Sequence, residues 1–150
     1  MKISELRLTN ILKDYEVREQ EFEYAEVPGI AELFGYYIVF FRPARNLCNT
    51  VAISISSDEY VETSLIPVAN LILRALDMNL KFGESTIEEI NSIYGVADWK
   101  DDMIVDGYRY HYLIKPDLLM VFEIRKKVLW GLEIIADEEI VKDVVDVRRL

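Results

Sequence analysis

A single cysteine, Cys48, in 150 residues excludes an intrachain disulfide, so the fold needs no oxidising compartment to form. Histidine is equally scarce. His111 stands alone, and serine, cysteine or metal chemistry would require it to meet a partner distant in sequence. Basic residues are outnumbered, 17 Lys and Arg against 27 Asp and Glu, for a formal net charge of −10. Such a surface cannot neutralise a polyphosphate or an anionic bilayer, which removes nucleic acid and membrane from the expected partners. Long apolar runs are missing too: Phe34 to Phe41 (FGYYIVFF) is far too short to span a bilayer as a helix. The opening MKISELRLTN has neither the apolar core nor the small-residue cleavage site of a secretory signal. No catalytic or cofactor motif occurs, so the expectation is a cytoplasmic protein that is not an enzyme and needs no cofactor.

What the chain does contain is apolar material, 51% of its residues, enough to fill one core. Residues 1–150 are expected to form a single domain, with a division into two lobes, 1–81 and 82–150, left open. Lys2 to Asp14 fits a helical face and a strand about equally. Tyr15 to Glu26 alternates, with Val17, Glu19, Glu21 and Glu23 on one parity, as a strand with an acidic outer face does. Carboxylates at that spacing, without a histidine or an oxygen-rich turn, face solvent rather than metal. Val27-Pro28-Gly29 breaks the strand. Tyr36–Arg42 and Thr50–Ser56 read as two more strands, joined by a connection in which Cys48 is an ordinary free thiol. Leu65, Val68, Leu71, Ile72, Ala75 and Leu76 recur at helical spacing and predict a helix that starts near Pro67 with Ser64 as its cap.

The most ordered signal runs from Phe82 to Ile135. Ser85-Thr86-Ile87-Glu88 is a capping box, and the frame Thr86 to Glu89 serves nearly as well. Ile87, Ile90, Ile93 and Tyr94 line one helical face, and Gly95 supplies a left-handed stop. Val96 to Asp106 then holds Trp99, Asp98, Asp101, Asp102 and Asp106, without the glycine and terminal glutamate of a calcium loop. Three strands follow, GYRYHYLI, LLMVFEI and VLWGLEII, separated by the turns Lys115-Pro116-Asp117 and Arg125-Lys126-Lys127. Connections this short require an antiparallel meander. In the first strand Tyr108, Tyr110, Tyr112 and Ile114 share one face, and Arg109, His111 and Leu113 the other. Asp137 to Leu150 suits a helix, acidic at its start and basic at its end, although its valines also suit a strand. The fold class expected is α+β, an antiparallel sheet packed by one longer and one or two shorter helices.

Gly83-x-Ser85, an isoleucine-lined helix ending Tyr94-Gly95, and three strands from GYRYHYLI to VLWGLEII resemble the repeat of the β-lactamase-inhibitor-protein-like superfamily, which also includes small outer-membrane lipoproteins of the barrel-assembly machinery. The resemblance covers about a third of the chain. It implies a curved sheet whose aromatic face meets a protein partner, with Tyr108, Tyr110 and Tyr112 as that face and Trp99 or Trp130 as neighbours. The N-terminal half shows no second copy of the pattern, and neither a secretion signal nor a lipobox cysteine is expected.

Two functions follow as expectations. The first is a small cytosolic inhibitor or immunity-type protein that occludes a basic partner such as a toxin, because complementary charge speeds encounter and penalises wrong partners. In bacterial immunity proteins the resemblance in class implies an acidic surface matched to basic nucleases. The second is a small-molecule-binding domain with a pocket between the long helix and the sheet, lined by residues such as Phe40, Tyr110 and Phe122. The tyrosine stripe itself can be exposed for recognition or covered as core.

Overall fold

Strand alternation and short turns dictate most of the architecture. The computed structural model describes residues 18–19, 24–26, 37–41, 50–55, 63–102 and 107–148. Its elements, in chain order, are β1 (Arg18–Glu19), β2 (Tyr24–Glu26), β3 (Tyr37–Phe41), β4 (Thr50–Ser54), a 3-10 turn (Thr63–Leu65), α1 (Ile66–Ala75), α2 (Ile87–Tyr94), β5 (Trp99–Asp102), β6 (Gly107–Lys115), β7 (Leu118–Arg125), β8 (Val128–Ile135) and α3 (Glu138–Arg148). The described strands form one eight-stranded antiparallel sheet in the order β1-β2-β3-β4-β8-β7-β6-β5. The protein is therefore α+β, and pairing of β4 with β8 carries one sheet through both halves of the sequence. Lys2 to Asp14, Val27-Pro28-Gly29 and Cys48 lie outside the described residues.

Period-two patterning sends alternate residues of each strand to opposite faces. On one face Val51, Ile53, Tyr112, Phe122, Leu132 and Ile134 pack against Val68, Ala69, Ile72 and Leu73 of α1 and Ile90 of α2. On the other face Leu119, Val121 and Ile135 meet α3 through Val141, Ile140, Val144 and Val145. Helices thus cover both faces of the sheet.

Helix ends follow local chemistry. Pro67 lies in the first turn of α1, where a missing amide costs nothing. The cap position is one residue later than expected: Ser64 falls within the 3-10 turn, and Leu65 holds the cap position without a side-chain bond. α1 closes when Met78 N donates to Leu73 O (3.0 Å) and Asp77, at φ 56°, turns left-handed. Of the two frames for α2 the second is used, Thr86 Oγ1 accepting from Glu89 N at 3.3 Å. Ser85 instead accepts from Lys81 N at 2.8 Å. Gly95 has the positive φ expected (85°), but its ψ of −166° places it in extended mirror-image space rather than the left-handed helical region. Asp137 resolves the C-terminal choice in favour of a helix, its Oδ1 accepting from Ile140 N at 3.0 Å.

The segment before α2 is tied to the sheet. Gly83 N donates to Leu129 O (2.8 Å), Leu129 N donates to Ser85 O (2.9 Å), and Phe82 N donates to Asn70 Oδ1 of α1 (2.8 Å). These bonds join the two helices to the start of β8.

The two hairpin turns differ. Pro116-Asp117 closes β6 on β7 without a positive φ, and both hairpins carry a register shift, at Leu113/Lys115 and at Glu123/Ile124. Lys126 and Lys127, by contrast, have φ of 51° and 73°, the primed geometry that glycine and asparagine adopt more easily. Replacing them, K126N with K127G, is expected to raise stability by about 1 kcal/mol and Tm by about 2–4 °C. A thermal melt showing no gain would mean the lysines relax that strain elsewhere.

Candidate functional site

Tyr108, Tyr110 and Tyr112 lie on the α1/α2 face of the sheet, as alternation in β6 requires, but their exposure is graded. Tyr112 is 1% exposed, Tyr110 half-buried and Tyr108 39% exposed. The gradient comes from the length of α2. Asn91 Oδ1 accepts a hydrogen bond from the Tyr112 hydroxyl, and the Tyr94 ring lies 6.1 Å from Tyr112 and 5.6 Å from Phe122. At Gly95 the helix ends, the chain turns into β5, and the cover ends with it. Tyr108 emerges beside Tyr110 with ring centroids 6.0 Å apart. Lys100 Nζ sits 4.4 Å from the Tyr108 ring centroid, a cation–π contact that fixes the ring from the neighbouring strand.

Burial pushes the Tyr112 hydroxyl up to about 12, with the neighbouring Tyr110 a second cause, and burial raises Tyr94 as well. The stripe therefore divides: Tyr112 belongs to the core, while Tyr108 and the edge of Tyr110 form a rim. Ile93 and Val96 at the end of α2 are also exposed.

Neither tryptophan joins that rim. Trp99 pairs with His111 across β5 and β6 and so falls on the opposite face, stacked on the imidazole at 4.7 Å with ring planes 10° apart. Trp130 does lie on the tyrosine face, but against the segment before α2. A Cβ added to Gly83 would stand 3.2 Å from Trp130 Cη2 and 3.1 Å from Ile66 Cδ1, and the φ of 81° at Gly83 favours glycine independently.

His111 is fully buried, its Nε2 2.7 Å from Asp101 Oδ2. That contact fastens β5 to β6. Asp98 adds two more, its amide to His111 O at 2.8 Å and its Oδ2 accepting from Leu113 N at 2.7 Å. Asp98, Asp101 and Asp102, to which the sequence pattern assigned no element, thus flank and build the strand β5, while Asp106 lies outside the described residues. Among the described residues no cluster of histidine, cysteine and carboxylate side chains could hold a metal ion, and no helix is long and apolar enough to cross a membrane.

No family model, curated protein or solved structure matches this chain.

Of the residues expected to line a pocket between α1 and the sheet, Phe122 is fully buried with its ring edge-on to Tyr112 at 5.5 Å, and Tyr110 is half-buried. A groove of about 230 Å³ lies on the other face, between α3 and the β6–β7 turn, lined by apolar Leu113, Pro116, Val141 and Val145 and by charged Glu138, Lys142 and Asp146. It is smaller than the roughly 300–1,000 Å³ usual for small-molecule sites.

Proposed function

We propose that the protein is a non-catalytic protein-binding module, an inhibitor or immunity-type protein of the cytoplasm that occludes a basic partner through the Tyr108–Tyr110 rim. The observation that carries this reading is Tyr108, left 39% exposed yet positioned by Lys100 and Tyr110. A large ring held in place has little freedom left to lose on binding, which is why tyrosine recurs at the energetic centres of interfaces. The net charge of −10 supports a basic partner. The likeness of the α2–meander unit to the β-lactamase-inhibitor-protein-like superfamily points the same way.

The test is a comparison of wild type with a Tyr108→Ser, Tyr110→Ser double variant, leaving core Tyr112 intact. A stoichiometric basic protein captured from the source cells, inhibited by wild type and released more than tenfold more weakly held by the variant, is expected from the loss of two interface tyrosines. Equal binding by both proteins would move the interface away from the rim.

A further inference from the structure

Among the described residues β5 has one strand neighbour, β6, and ends the sheet. A strand so placed offers backbone donors and acceptors to an approaching chain. β5 is held extended from both faces. Trp99 stacks on His111 and Asp101 bonds it on one face, Lys100 lies over Tyr108 on the other, and Asp98 anchors the entry through Leu113. The edge is preformed, so an added strand would not have to order it.

Charge decides the occupant. Asp98, Asp101 and Asp102 stand against the single cation of Lys100, which is engaged by the Tyr108 ring. A second copy paired antiparallel about a two-fold axis perpendicular to the sheet must set one residue opposite itself, and for Lys100, Asp101 and Asp102, three of the four residues of β5, that residue is charged. Like charges directly opposed destabilise a strand pair. A strand bearing lysine or arginine instead meets Asp102 on the tyrosine face and Asp101 on the other. We propose that β5 accepts a basic, extended segment of a partner protein as a ninth strand of the sheet. The proposal rests on the protein-binding reading and deepens it, since a strand on β5 runs alongside Lys100, Asp102 and Tyr108 and its side chains on that face reach the rim.

The probe is a displayed library of random twelve-residue peptides, selected on the intact protein at low salt. Lysine and arginine are expected to be enriched at two adjacent positions, one opposite Asp101 and one opposite Asp102, and the best synthetic peptide should slow amide exchange within 99–102. Asp102→Asn should weaken it several-fold and Asp102→Lys at least tenfold, both variants being exposed-site changes checked for folding by circular dichroism. Methylating alternate peptide amides in one register should abolish binding, and shifting the methyl groups by one residue should spare it. Binding that survives methylation in both registers but is lost with Tyr108→Ser overturns strand addition and leaves the tyrosine rim standing. Enrichment without basic residues, or none at all, also overturns it, and the rim then stands or falls on the capture experiment.

Discussion

Phe122→Ala is expected to remove about 3–5 kcal/mol of stability, enough to leave a domain of ordinary stability marginal or unfolded. The side chain is fully exposed to neither face of solvent: it lies at 0% accessibility between Tyr94 and Tyr112, with β6 and β8 on either side of its strand. Truncation would empty a site walled by the sheet and two aromatic rings, none of which can collapse far. Urea denaturation measures the effect, and Phe122→Leu, which keeps most of the volume, should cost roughly a third as much. A loss under about 1.5 kcal/mol for alanine would contradict the aromatic packing described here.

The second large effect is an alkaline one. Tyr112 is raised from 10 to about 12 in the folded protein, so the native state keeps a proton that the unfolded chain releases. The stability linked to that proton is fully present below pH 10 and is lost as pH rises towards 12. The loss should approach about 2 kcal/mol, less than two full pKa units because solvent reaching the half-buried Asn91 beside the hydroxyl screens part of the effect. Tyr94, raised in the same direction, adds to it. Tyr112→Phe should begin about 1 kcal/mol less stable at neutral pH, through the lost Asn91 bond, and fall less steeply above pH 10. Parallel curves for the two proteins would show that Tyr112 ionises normally in the folded state.

Both effects arise in the part of the fold that the sequence shows most clearly. Strict alternation from Tyr108 to Ile114, and two turns too short for a crossover, leave one arrangement for β6, β7 and β8. β5 was hidden because Trp-Lys-Asp-Asp lacks β-branched residues and spans only two periods of alternation. Its strand character comes from tertiary contacts, the Asp101–His111 bond above all. The same hidden strand misplaced Trp99: the resemblance set it beside the tyrosines, whereas register opposite His111 forces it to the other face. The tyrosine face was legible, but its gradient was not, since where a covering helix stops relative to a strand is set by packing rather than by either local pattern. Likewise no local signal marks β4 as the strand beside β8, a pairing of residues some eighty positions apart.

One position in β8 reaches beyond stability. Gly131 pairs with Glu123, and a Cβ built on the glycine would come within 2.7 Å of Glu123 Cβ and closer still to Oε2. The glutamate, whose other carboxylate oxygen is 3.8 Å from Arg125 Nη2, occupies the room that any larger residue at 131 would need. In evolutionary terms the two positions form a single historical unit. Shortening residue 123 removes the carboxylate but leaves its Cβ in the way, so a lineage can enlarge residue 131 only together with a glycine at 123 or a shift of the β7–β8 backbone.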